Sequence, residues 1–125
     1  MKVDFYIVKN VMSAIEQNEL KAFIREGKWQ CKGDMGSTVE NTRDYILWLL
    51  NILVEAGLIV KVRHKDKQFL NCDYELTYRG TNFVAMLKTD YIWDYIHEKL
   101  KMLQLYPSFK VVEALGEEAI QRLLK

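Results

Sequence analysis

Between Tyr45 and Val54 the chain reads Y-I-L-W-L-L-N-I-L-V, and no other stretch restricts the fold as strongly. Stepping 100° per residue, Tyr45, Ile46, Leu47, Trp48, Leu49, Leu50, Ile52, Leu53 and Val54 cover well over half of a helix circumference, wider than the roughly 100° stripe of a surface helix. Only Asp44, Asn51 and Glu55 are left as a narrow polar strip. Such a helix must be covered on most sides. It is interrupted by Asn51, closed by Glu55 and far shorter than the roughly 20 residues that span a bilayer, so it is expected to be a buried helix and not a membrane one. The 125 residues are about one domain's worth. A chain of this size buries roughly two-thirds of its unfolded surface and needs neither disulfides nor a structural metal. Half the residues are hydrophobic and 28% are charged, which excludes a disordered or collagen-like chain, and one proline with six glycines fits a helix-rich protein.

Eighteen basic against seventeen acidic residues leave a net charge of +1. No global field points to nucleic acid or an anionic membrane, so any basic patch is local. The opening Met1-Lys2-Val3-Asp4-Phe5 lacks the apolar core of a signal peptide, and a cytoplasmic protein is expected. Cys31 and Cys72 stand alone, in neither a C-x-x-C nor a zinc-finger spacing, and are expected to remain thiols without chemistry.

Local patterns divide the remaining chain. Val8, Val11, Met12 and Ile15 fall at i, i+3, i+4 and i+7, an amphipathic helix within Asp4 to Asn18. Leu20, Ala22 and Ile24 alternate, and a short strand followed by an irregular loop to Gly36 is expected there. Asn41, with Asp44 three residues on, reads as a helix start, and the helix runs to Ala56 and stops at Gly57. Leu58, Val60 and Val62 alternate with Ile59, Lys61 and Arg63, and Phe69 to Leu76 is a second strand-like run. A turn at Lys65-Asp66-Lys67 would make the two a hairpin. Thr77 is placed to cap a short helix with Phe83, Val84 and Leu87. A further helix starts near Asp90, with Ile92, Tyr95, Ile96, Leu100 and Leu103 on one side. Pro107-Ser108 opens a last one, carrying Val111, Val112, Leu115, Ala119, Ile120 and Leu123.

A helix ending Glu55-Ala56-Gly57-Leu58-Ile59, a hairpin, then Leu76-Thr77-Tyr78-Arg79-Gly80-Thr81-Asn82-Phe83, followed by Asp90 and Trp93, resembles a family of bacterial and phage winged-helix proteins often met in prophages. Its members open with a short M-K-x-D helix, as Met1, Lys2 and Asp4 do here. The resemblance departs between Leu20 and Val39, where this chain carries extra residues. It implies a fold and a phage association, and brings no established activity. The expected fold is therefore mainly α with a small β-hairpin wing (α+β), a winged helix-turn-helix over 1–105. A C-terminal helical extension over 106–125 is expected to pack on the same core.

Function is weighed on few candidates. In a DNA-reading winged helix the second helix of the helix-turn-helix enters the major groove and the wing touches phosphate. Asn41 to Ala56 holds that place, but its polar strip of Asp44, Asn51 and Glu55 is acidic and only Arg43 has suitable chemistry, which favours a core helix with a solvated edge. Lys61, Arg63, His64, Lys65 and Lys67 face one Asp66 in the wing. They would clamp a phosphate backbone, or they discourage edge pairing on a solvated hairpin. Asp90, Asp94 and His97 share one helix, and no second D/E-x-x-H supplies the other arm of a bundle metal site, so a water-facing stripe is expected and no metal. There is no G-x-S-x-G, phosphate loop, G-x-G-x-x-G or H-E-x-x-H, and neither catalysis nor a cofactor is expected. Among the large aromatics, Trp29 and Tyr91, in a loop and near a helix start, are the candidates for a partner surface. The expected function is binding a host protein, as an inhibitor or adaptor that acts on host machinery such as a defence system. The monomer and the homodimer are both left open, and DNA-binding regulation through Arg43, Lys61, Arg63, Lys65 and Lys67 is the alternative.

Overall fold

The computed structural model describes residues 3–26, 39–63 and 72–124 and, within those ranges, every side chain except those at 26, 39–43, 63, 72 and 73. Among these residues the chain is mainly helical with one small antiparallel sheet. The elements are α1 (Phe5–Glu16), α2 (Leu20–Glu26), α3 (Val39–Glu55), β1 (Ile59–Arg63), β2 (Cys72–Leu76), α4 (Tyr78–Lys88), α5 (Asp90–Leu103) and α6 (Phe109–Leu123). The chain forms two compact units, Met1–Thr81 and Asn82–Lys125, and α4 runs across the division. Among the described residues no helix is long and apolar enough to cross a membrane.

In the first unit, Asp4 starts α1 by accepting hydrogen bonds at Oδ1 from the N–H groups of Tyr6 (2.9 Å) and Ile7 (3.3 Å). The Asp4 N–H in turn donates to Tyr45 Oη at 2.9 Å, joining the start of α1 to α3. The expected stripe of Val8, Val11, Met12 and Ile15 is buried, together with Phe5, Ile7 and Ala14. The helix stops at Asn18, whose φ of 61° is left-handed; the N–H of Asn18 bonds Ile15 O (3.0 Å) and that of Glu19 bonds Ala14 O (2.8 Å). This paired bond pattern closes the helix in one residue and delivers the chain directly into α2.

The expectation of a strand at Leu20 is corrected here: Leu20–Glu26 is helical, and Phe23 N–H bonds Glu19 O at 2.8 Å. Leu20 and Ile24 are both buried, and residues four apart share a face in a helix and in a strand alike, so the alternation did not separate the two. The expected loop from Gly27 to Gly36 and the Lys65-Asp66-Lys67 turn lie outside the described residues. Helix α3 begins at Val39, ahead of the expected start at Asn41. Its arc is as wide as the sequence requires, with Tyr45, Ile46, Leu49, Leu50 and Leu53 buried, Leu47, Trp48, Ile52 and Val54 half-buried, and Asp44, Asn51 and Glu55 exposed.

The end of α3, the sheet and the start of α4 make one junction. Gly57 is left-handed (φ 78°), its N–H bonds Val54 O (3.0 Å) and Leu58 N–H bonds Leu53 O (3.1 Å), again closing the helix. Strands β1 and β2 pair with Ile59 opposite Leu76, Lys61 opposite Tyr74 and Arg63 opposite Cys72. Ile59 faces the core, whereas Val60 is 45% exposed. Thr77 N–H returns to Leu58 O (3.0 Å), and Thr77 Oγ1 donates to Gly57 O (2.7 Å) while accepting from Gly80 N–H (3.0 Å), capping α4 as expected. Arg79 donates to Ala56 O at 3.1 Å, and Gly80 packs so closely that a Cβ there would overlap the Leu58 carbonyl. The E-A-G-L-I and L-T-Y-R-G motifs are thus two halves of one backbone contact.

In the second unit α5 and α6 pack against each other. Ile92 and Ile96 are buried on α5, and Val112, Leu115, Gly116 and Ala119 on α6. Of the five residues expected on the inner side of α5, Leu103 is exposed and Tyr95 and Leu100 are half-buried, because the covered face is narrower than the apolar one. Ser108 Oγ accepts from Val111 N–H (3.2 Å), so the last helix starts where Pro107-Ser108 predicts. The Phe83 and Phe109 rings meet at 5.9 Å.

Candidate protein-binding face

The outer side of α5 carries Tyr91, Tyr95, Glu98 and Met102, spaced four, three and four residues apart, the spacing of a seam that accepts another helix. With Asp94 and Lys99 of α5 and Arg122 of α6 they line a groove of about 440 Å³. Tyr91 is 50% and Met102 61% exposed, so the seam presents apolar surface to water. The Tyr95 ring has Lys99 Nζ 5.6 Å and Arg122 Cζ 5.4 Å from its centroid, each contact worth about 0.5–1 kcal/mol at an exposed position. The Tyr95 hydroxyl is shut off from solvent, with the Glu118 carboxylate and the Arg122 guanidinium beside it. Loss of hydration raises its pKa above the ordinary 10.0, the Glu118 carboxylate adds to the rise, and Arg122 opposes it.

Beyond the groove, α5 ends at Gln104 in a left-handed conformation (φ 53°), and exposed Leu103, Leu105 and Tyr106 follow one another around this turn. Leu123 and Leu124 are exposed where α6 finishes. The groove lining itself is balanced, with Asp94 and Glu98 against Lys99 and Arg122.

Of the partner-surface candidates, Tyr91 stands at one end of this groove, and Trp29 lies outside the described residues. Of the candidate phosphate contacts, Lys61 is exposed on β1. Arg43 lies in the first turns of α3 and Arg63 at the end of β1, with their side chains outside the described set, and Lys65 and Lys67 fall outside the described residues altogether. The His97 ring packs edge-on against Trp93, 4.4 Å between centroids, and among the described residues no three His, Cys, Asp or Glu side chains gather at one point. Sequence reasoning counted Tyr95 with the inner face and passed over Glu98, Met102 and Arg122 as site residues; the 4-3-4 spacing was the available signal. No family model, no curated protein and no solved structure matches the chain.

Proposed function

We propose that the first unit is a winged helix-turn-helix, α1–α2–α3 followed by the β1–β2 wing, and that the protein is cytoplasmic and non-enzymatic, working by binding protein through the α5 face. The observation that carries this reading is the seam of Tyr91, Tyr95, Glu98 and Met102, in which three large side chains, two of them at least half exposed, flank one carboxylate in a groove of balanced charge. Aromatic and methionine anchors with a polar rim are the composition of protein interfaces. The motif resemblance adds the phage association, and an adaptor or inhibitor of host machinery is its functional form, by analogy.

Capture from the native host followed by mass spectrometry tests it. The wild-type chain should retain a protein, of the host or a second copy of the chain itself, that a Tyr91→Asp, Met102→Asp variant loses; identical retention by both would sink the reading. DNA binding through the wing is the second reading, favoured by exposed Lys61 at the base of a basic hairpin and opposed by the exposed acids Asp44 and Glu55 on α3. Competition binding should find no sequence-specific complex, and a site preferred on the order of 10³-fold would reverse the order of the two readings.

A further inference from the structure

We infer that the occupant of the α5 groove is a second copy of the same chain, its α5 lying antiparallel across this one about a two-fold axis at the middle of the helix. The inference rests on the reading of this face as a protein-binding surface and names what binds there. Helix α5 runs from Asp90 to Leu103, so its midpoint falls between Ile96 and His97. An antiparallel pair with the axis there sets each residue opposite the one equally far from the midpoint. Tyr95 then meets Glu98 of the copy, and Tyr91 meets Met102 of the copy. All four seam residues are used, in the alternating layers of an antiparallel helix pair, and every contact occurs twice, as a two-fold interface requires.

Charge supports the same occupant. Arg122, with Glu118 of its own helix beside the same hydroxyl, reaches over the Tyr95 ring, and Tyr95 is level with Glu98 of the copy, so the guanidinium is placed to share its charge with that carboxylate across the interface in both directions. In the pair, each Glu98 gains the copy's Arg122 in addition to Lys101 at i+3 on its own helix. A lining with two acids and two bases fits its own rotated image, and neither an acidic nor a basic partner fits it as well. The apolar ends also match. The 71%-exposed Tyr106 and its neighbour Leu105 follow the Met102 end of α5, whereas α6 finishes at Leu123 and Leu124 near the Tyr91 end; antiparallel pairing brings these two surfaces together.

A helix of 14 residues is about 21 Å long, so the buried area lies at the low end of specific interfaces and the dissociation constant is expected on the order of micromolar. Sedimentation equilibrium of the full chain across that range tests it. Glu98→Arg alone and Arg122→Glu alone should each weaken dimerisation on the order of 10-fold or more, because each places like charges opposite one another. An equimolar mixture of the two variants should recover the dimer, since the arginine introduced in one chain then faces the glutamate introduced in the other. Both positions are exposed, and circular dichroism should show both variants folded. Recovery in the mixture supports the pairing. A wild-type chain that stays monomeric while capturing a host protein through Tyr91 overturns the self-pairing alone, and one that stays monomeric and captures nothing overturns the protein-binding reading as well. A dimer indifferent to both charge reversals also overturns the pairing.

Discussion

Replacing Gly80 by alanine tests the junction between α3, the sheet and α4. In an ordinary helix interior the change would stabilise by about 1 kcal/mol, since alanine is the better helix former. Here the new Cβ would overlap the Leu58 carbonyl oxygen and lie 2.9 Å from its carbon and 3.3 Å from its Cα, all of them backbone atoms that no rotamer change can move. Relief requires α4 to retreat from β1, whereas its start is tied to the Ala56–Leu58 segment by Thr77 N–H to Leu58 O, Thr77 Oγ1 to Gly57 O and Arg79 to Ala56 O, and Gly80 N–H caps onto the same Thr77 Oγ1. Losing the three ties at about 1 kcal/mol each, with about 1–3 kcal/mol of overpacking and the propensity gain set against it, leaves a net loss of about 3–5 kcal/mol. That corresponds to a fall in Tm of roughly 10–20 °C. Gly116→Ala is the internal comparison. Its Cβ would meet Met86 Sδ at 2.5 Å, the far end of a flexible side chain, so the methionine shifts and the net cost stays within about 1–2 kcal/mol. Urea and thermal unfolding followed by circular dichroism measure both. A Gly80→Ala chain as stable as wild type, or no less stable than Gly116→Ala, would refute the argument that backbone contact sets the requirement for glycine.

Gln104→Gly should stabilise by about 0.5–1 kcal/mol, because glutamine holds a left-handed φ of 53° that glycine adopts without strain; an unchanged or lower Tm speaks against it. Ser108→Ala should cost about 1 kcal/mol through loss of the cap on Val111 N–H, measurable in the same melt, whereas Ser108→Asp should retain it. The raised pKa of Tyr95 means that folding favours its neutral form. Its contribution is complete below pH 10.0 and is lost as the pH rises through the folded value, so stability should fall in that window in wild type more than in Tyr95→Phe. A tyrosinate absorbance titration should show one residue ionising late, and its absence would contradict the environment described for that hydroxyl.

Local signals in the sequence were sufficient wherever one energetic term decided the outcome. The stripe of Val8, Val11, Met12 and Ile15, the wide arc of α3 and the caps at Thr77 and Ser108 each depend on contacts within a few residues, and each is visible in the order of side chains. Gly57 could be read as a helix stop for the same reason, since few other residues accept its backbone angle. The face of α5 could not. Tyr95 belongs to the inner stripe by periodicity and lines the outer groove in fact, because how much of an amphipathic arc is covered depends on the width of the helix packed against it. Leu20 and Ile24 satisfy a strand and a helix equally, and the left-handed turn at Asn18 decided between them by launching α2. Which of Ile59 and Val60 is buried, and why position 80 must be glycine, follow from where β1 and α4 approach each other. Those distances are set by residues some twenty positions apart, and a pattern read along the chain has no access to them.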